Sequence, residues 1–364
     1  MSEQYENTFV IGILGENNEQ NNLIGQAFGA PGTKSDIQFY NRLDNKLQQV
    51  FCALSPINYP EKIKPFLQTL VLTDIHILVI DLEIGLNSVI GELLIGLDIF
   101  SQLHNTLPLI VITNINDKNN WKLGETKEKL KKILETTHIK NTEIFLIENK
   151  EDYESLKKKI INLEILSDDN KEEISNYTKI LIDHCFPVKG IGTVILGLVK
   201  QGRLQAGQMV GLIGSEDAEK KLIIRSIQKH DRDFKEAHKG DRVGLALKGN
   251  INSHDINRDN LLITQGVFKP ENEILAEIHI NQFYKPKENK ISSQEGIQYT
   301  AITELKSSPF KITEGEDISP GKSGKMKLKF DKKMYHDGTG LKGLIYDANK
   351  FQNKNRIIGY FKQI

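Results

Sequence analysis

Apolar positions along the chain fall into two regimes. In the first, short continuous apolar runs alternate with amphipathic stretches. The runs Phe9–Gly15, Gln49–Leu54, Ile75–Asp81 and Leu107–Thr113, with Glu143–Glu148 as a fifth, have the length and flanks of strands buried on both faces. Ser88–Leu103 carries Ile90, Leu93, Leu94, Leu97 and Phe100 on one stripe, and Lys122–Thr137 and Lys150–Leu163 are further amphipathic helices. Strands alternating with helices predict a parallel sheet.

The polar stretch Leu166–Glu173 then reads as an exposed linker, and beyond it the period drops to two. Val194, Leu196 and Leu198 alternate with Thr193, Ile195 and Gly197, as along a strand. Gly190 and Gly192 supply positive φ for a tight reversal before it, while Gln201-Gly202 and Ala206-Gly207 mark the next turns. Short strands with glycine corners predict a small closed β-barrel. Gly266–Pro270 opens a second, with strands over Glu273–Ile280, Gly296–Glu304, Gly324–Phe330 and Ile357–Phe361. The reading is a multidomain chain: an α/β domain at 1–170, a barrel at 171–265 and a second barrel at 266–364.

With 364 residues there is room for two or three domains. No apolar run approaches 18 residues and Met1–Glu6 is polar and acidic, which argues against a membrane span or a secretory signal. Cys52 and Cys185 are far apart and form no CxxC, so a reduced, cytoplasmic setting with no metal site is expected. The formal charge of zero hides an asymmetry. Residues 1–177 hold 17 Lys+Arg against 26 Asp+Glu, a net of −9; residues 178–364 hold 31 against 22, a net of +9. A basic half beside an acidic half points to a polyanion partner on one side; solvated surface lysines are the alternative.

Three stretches carry a resemblance: Asp183-His184-Cys185-Phe186-Pro187-Val188-Lys189-Gly190-Ile191-Gly192-Thr193-Val194, Ile224-Arg225-Ser226-Ile227-Gln228, and Ala237 through Gly249. Together they resemble the second domain of translational GTPases, the barrel of elongation factor Tu, and within that group the archaeal form of SelB, the factor for selenocysteinyl-tRNA. The resemblance implies a GTPase-like fold for the first domain, against which its loops can be compared. A phosphate loop, GxxxxGK[ST], needs glycines for backbone approach, a Lys for the phosphates and a hydroxyl for Mg²⁺. After Gly15 the chain reads Glu16-Asn17-Asn18-Glu19-Gln20-Asn21-Asn22, with none of these and with two carboxylates. At the D-x-P-G-H position, Leu54, Ile57 and Asn58 stand for Asp, Gly and His, and only Pro56 is kept. The guanine-reading N-K-x-D becomes Asn114-Ile115-Asn116-Asp117, and the S-A-x turn becomes Ile147-Glu148-Asn149. Asn114 and Asp117 are thus either a vestige of a guanine site or ordinary turn formers. The switch segment between Asn22 and Leu47 reads as cut short, Ala30–Asp36 and little else, and Thr33 as a former Mg²⁺ ligand without a role.

The same resemblance places an aminoacyl-end pocket on the first barrel, with Asp183, His184 and Phe186 on the entering strand and Gln228 and Arg242 across from them. An Asp, a His and an Arg together suit an anionic selenolate; each alone also fits a structural role. In the second barrel Lys325, Lys327 and Lys329 share one strand face, a candidate contact for RNA phosphates or a solvated face. Pro320-Gly321-Lys322-Ser323 is no phosphate loop, since a strand follows it and no upstream Gly precedes it. No winged-helix extension of the bacterial SelB kind is expected. The implied function is that of a SelB-like protein without GTP binding, hydrolysis, cofactor or metal, which binds tRNA, another RNA or the ribosome, and neither DNA nor membrane. The alternatives are a scaffold whose acidic N-terminal domain docks a protein, and an active GTPase with displaced phosphate ligands.

Overall fold

The computed structural model describes residues 7–32, 35–167, 176–214, 218–286, 288–293, 298–350 and 354–364. Thr33 and the expected linker from 168 onward lie outside them. Contacts divide the chain into two compact units: Met1–Glu172 with Asp347–Ile358, and Glu173–Tyr346 with Gly359–Ile364.

The first unit is an α/β domain. Its elements are β1 (Thr8–Gly15), α1 (Asn18–Phe28), β2 (Ala30–Pro31), β3 (Ile37–Asp44), β4 (Gln49–Pro56), α2 (Ile63–Leu72), β5 (Ile75–Asp81), α3 (Ser88–His104), β6 (Leu107–Thr113), α4 (Lys122–Leu134), β7 (Ile144–Leu146) and α5 (Glu151–Ser167). The sheet runs β2-β3-β4-β1-β5-β6-β7. The pairings of β4, β1, β5, β6 and β7 are parallel, and β3 joins β4 antiparallel. The central strands are apolar on both faces because helices cover both.

Between Asn22 and Leu47 the chain completes α1 and forms β3, two elements that the sequence reading did not place, with residues 29–36 joining them. Asn17 accepts from the amides of Glu19 and Gln20 and so starts α1, whose Ile24 and Phe28 are buried. Phe28 and Phe9 then meet Phe51 at ring-centroid distances of 5.6 and 5.4 Å. Asp44 at the end of β3 is buried and faces the equally buried Lys157 of α5 at 3.6 Å.

The second unit holds two barrels. The first comprises β8 (Lys179–Val188), β9 (Gly192–Gln201), β10 (Arg203–Gln205), β11 (Met209–Ile213), β12 (Lys220–Lys229), β13 (Arg232–Phe234), β14 (Glu236–His238), β15 (Arg242–Lys248) and β16 (Leu261–Ile263). Six strands close in the order β11-β16-β8-β9-β15-β12 through the β11–β12 pairing. Gly190 and Gly192 have φ of 81° and 105°, the positive values expected of the turn between β8 and β9. The second barrel comprises β17 (Lys269–Ile280), β18 (Tyr299–Thr303), β19 (Lys306–Gly315), β20 (Ser323–His336), β21 (Lys342–Tyr346) and β22 (Ile357–Gln363), closed in the order β17-β20-β19-β18-β21-β22. The barrels are cross-linked by Lys179–Glu304 at 2.6 Å, by Lys306 Nζ donating to the Gly214 carbonyl at 2.6 Å, and by the Tyr177 hydroxyl donating to Asp337.

One close approach tests how α1 is seated. A Cβ added to Gly25 would stand 2.4 Å from the Tyr40 ring, whose hydroxyl donates to Asn22 Oδ1 at 2.9 Å. Gly25→Ala is expected to cost about 1–3 kcal/mol by overpacking, despite the better helix propensity of Ala. A calorimetric melting temperature equal to or above wild type would refute this packing.

Candidate functional site

At the carboxyl ends of β1, β5 and β6, where an open α/β sheet holds its ligands, this chain's polar side chains bond one another. Only Glu16 and Asn17 separate β1 from α1. Asn17 uses its oxygen on the first amides of α1 and donates Nδ2 to Asp81 at 2.6 Å. Asp81 also accepts from Asn114 Nδ2 at 3.0 Å. Glu16 accepts from Asn87, the N-cap of α3. Leu54 is buried within β4.

Asn114 and Asp117 lie on the exposed turn after β6, Asn114 with φ 57°. The residue that organises this turn is one the sequence reading passed over. The buried Asn119 accepts from the Asn116 amide at 2.9 Å and donates to the Asn114 carbonyl at 2.8 Å and to Glu83 at 3.0 Å.

On the first barrel, a β-bulge decides the geometry. Ile182 pairs with Gly197 and His184 with Leu196, so Asp183 is the extra residue between them. The side chain of Asp183 is 1% exposed. It accepts from Arg242 Nε at 2.9 Å and NH2 at 3.4 Å, and lies 2.9 Å from His184 Nδ1. Arg258 donates from Nε to the Asp183 carbonyl at 3.1 Å, bringing a second cation to the same corner. Burial alone would raise the Asp183 carboxyl, but Arg242 and His184 outweigh it and hold it below the usual range. The neighbouring Cys185 thiol is pushed up to about 11 by burial, which leaves it neutral.

The structure brings Asp183, His184 and Arg242 into contact and places Phe186 on the exposed rim of the same strand, near the exposed Ile191 of the following turn. Gln228 lies further off. His184, Leu196, Gly244 and Gln228 form one row across β8, β9, β15 and β12, and the Gln228 amide donates to Asp233 at 2.9 Å. Gly244 is the second residue the sequence reading missed. A Cβ there would meet Leu196 at 3.5 Å and Gln228 at 3.8 Å, ordinary contacts without strain. The fold therefore does not demand glycine at this mid-strand position, which lies between the side chains of Leu196 and Gln228. A glycine amid β-branched and aliphatic strand residues was the available signal.

On β20, Lys325, Lys327 and Lys329 share the outer face as expected. The face is not purely basic. Glu277 stands opposite Lys325 and Glu273 opposite Lys329, and Lys327 pairs with Glu273 at 2.8 Å.

A family model for elongation factor Tu domain 2 matches residues 192–257. Over 341 residues the chain is 31% identical to an uncharacterised protein of Methanocaldococcus jannaschii, covering 93% of this chain and 95% of that one. The chain belongs to that protein's family. Over 216 residues it is 32% identical to the selenocysteine-specific elongation factor of the same organism, a match covering 58% of this chain and only 44% of the factor. The crystal structure of SelB from Methanococcus maripaludis with the GTP analogue GppNHp matches with a TM-score of 0.79 at 23% identity, over 99% of this chain and 79% of that one. The family thus has a SelB-like fold, an α/β domain followed by two six-stranded barrels. Among the described residues, no helix is long and apolar enough to cross a membrane.

Because the folded Asp183 carboxyl is held low, its contribution to stability is present above the unfolded value of about 4 and is lost as pH falls through the folded value. Arg242→Met leaves the buried carboxylate short of its main cation. That variant is expected to lose about 3–5 kcal/mol near pH 7 and to regain part of it near pH 5, where the carboxyl can take up a proton. Melting temperatures at the two pH values check the sign; a variant that is stabler at the higher pH would contradict it.

Proposed function

We propose that this protein is a SelB-like factor that no longer binds or hydrolyses GTP and that uses its barrels to hold RNA, with an aminoacylated 3′ end on the first barrel. The observation supporting the first half is the self-capped strand end. A phosphate at a helix N-terminus takes the free first amides; here the Asn17 side chain takes those of Glu19 and Gln20, and the carboxylates of Glu16 and Glu19 repel an anion. The mutual bonds of Asn17, Asp81 and Asn114 hold that arrangement. The protein is then not an enzyme and carries no nucleotide cofactor, and Asn114 and Asp117 act as turn residues. Titration calorimetry with GTP and Mg²⁺ is expected to show no binding. Affinity at or below about 1 μM, the ~8 kcal/mol range that phosphate contacts supply, would restore the active-GTPase reading.

The second half rests on the corner around the Asp183 bulge. The carboxylate there meets the Arg242 guanidinium and the His184 imidazole, and a second guanidinium, Arg258, bonds the Asp183 backbone carbonyl, beside Gly244 in the neighbouring row and the apolar rim of Phe186. An anionic aminoacyl group on a stacked 3′ end fits these features, and the +9 charge of residues 178–364 supplies long-range attraction. A cytoplasmic translation role, through tRNA, another RNA or the ribosome, follows from this reading.

Filter binding with aminoacylated and deacylated tRNA is expected to show affinity falling steeply with salt. Charge reversal at Lys325 and Lys329 should weaken both ligands alike, because phosphate contacts position without reading sequence. Arg242→Ala should matter mainly for the aminoacylated one. Gly244→Ala, whose Cβ would meet Leu196 and Gln228 at ordinary distances, should weaken binding of both while the melting temperature is kept. The pairing of Lys327 with Glu273 favours the second reading, a protein-binding scaffold, and no tRNA binding at low salt would select it.

A further inference from the structure

Inside the first unit, the side chain of Arg356 meets the carboxylate of Glu92 on α3, and both are 3% exposed. The contact is a fork. Arg356 NH2 lies 2.5 Å from Oε1, Nε lies 3.1 Å from Oε2, and the Arg356 backbone amide donates to Oε2 at 2.7 Å. Arg356 NH1 donates to the Pro60 carbonyl at 2.7 Å, and the guanidinium stands 5.7 Å from the Tyr59 ring centroid. The Tyr59 hydroxyl donates to Glu92 at 3.0 Å and to the Val89 carbonyl at 3.3 Å. Burial and the Glu92 carboxylate push that hydroxyl well above its ordinary range, so it stays a donor.

Arg356 thus holds the segment between β4 and α2, the one that follows Pro56. Its start is also tied to β3 and α1, where the Ile57 amide donates to the Asp36 carbonyl at 3.0 Å and Asn18 Nδ2 to the Ile57 carbonyl at 3.3 Å; its end is closed locally by the Lys62 amide donating to the Asn58 carbonyl at 2.6 Å. Tyr59 is 1% exposed and packs on Phe66 at a centroid distance of 5.1 Å. In GTPases, loops at the nucleotide are ordered by the γ-phosphate and Mg²⁺ and released on hydrolysis.

We propose that Arg356 is a built-in clamp that fixes the 57–62 segment in one conformation without any nucleotide, so that the first unit has no off state. The ligand that orders the segment is covalent and permanent: it is supplied by Arg356, which lies in sequence between β21 and β22, directly before β22 begins. A buried fork with every carboxylate lone pair engaged is a two-state contact, either made or broken, and salt in the surrounding solution does not screen it. The proposal rests on the nucleotide-free reading above, and the test separates the two.

Amide hydrogen exchange on the full-length protein, read by mass spectrometry, is expected to show 57–62 protected and unchanged by GTP or GDP with Mg²⁺, and insensitive to salt. In Arg356→Met, exchange across 57–62 should rise about 10-fold or more while β5 and β6 keep their protection. Should that variant fail to fold, Arg356→Lys keeps the charge but lacks the fork, and the rise should again be confined to 57–62 and the start of α3. Wild-type exchange in 57–62 as fast as in an exposed loop, or no rise in either variant, would overturn the clamp. Nucleotide binding in the same samples with 57–62 protected and unmoved would leave the clamp standing and remove the nucleotide-free reading; binding that changes protection there would remove both.

Discussion

A carboxylate taken out of water has to be matched by cations and donors, and this fold meets that demand at its two decisive places. Glu92 receives Arg356 and Tyr59 in the first unit; Asp183 receives Arg242 and His184 in the first barrel. Each pair is costly to bury and costlier to break, so each fixes the relation between stretches far apart in sequence. At Glu92 the match holds a loop against a helix. At Asp183 it holds a bulge open toward the surface, where the imidazole and guanidinium edges are presented together. The chemistry of the molecule is organised by where it places buried negative charge.

The end of the parallel sheet meets that demand with neutral groups. There a buried carboxylate is met by side-chain amides: Asn17 caps α1 and donates to Asp81, and Asp81 also accepts from Asn114. A phosphate site requires donors left unsatisfied by the protein itself. The guanine-side turn is likewise held from within, by Asn119.

Much of this was legible in the sequence. The apolar runs gave β1, β4, β5 and β6 with accurate limits, because strands buried on both faces leave no ambiguity of period. The glycines at 190 and 192 announced their turn. The helix α1 and strand β3 were not legible: α1 is Asn-rich, and its first turn forms because Asn17 caps it, an interaction that composition disguises as a loop. The strands β19 and β21 were also passed over, each carrying polar residues on an outward face. For the site, residue type pointed to Asp183, His184 and Arg242, but alternation alone would have turned Asp183 outward. The bulge that buries it is a matter of register between β8 and β9, which no local pattern encodes. Gln228 was placed by motif position, yet its amide serves Asp233. The lysine face of β20 was read correctly as a face; its acidic lining came from β17, far earlier in the chain, and could be seen only once the strands were paired.

The segment Asp347–Ile358 belongs to the first unit although barrel strand β21 precedes it and it runs into the start of β22. The chain therefore passes between its units three times, and no single cut yields two whole parts. Removing residues 1–172 would strand Arg356, its guanidinium left with neither Glu92 nor the Pro60 carbonyl. A gene fragment encoding the barrels alone would inherit an unfinished loop, and one encoding the α/β domain alone would inherit an uncompensated buried carboxylate. The architecture looks modular in its folds but is not modular in its inheritance: recombination, truncation or domain exchange has to carry both ends of the chain together.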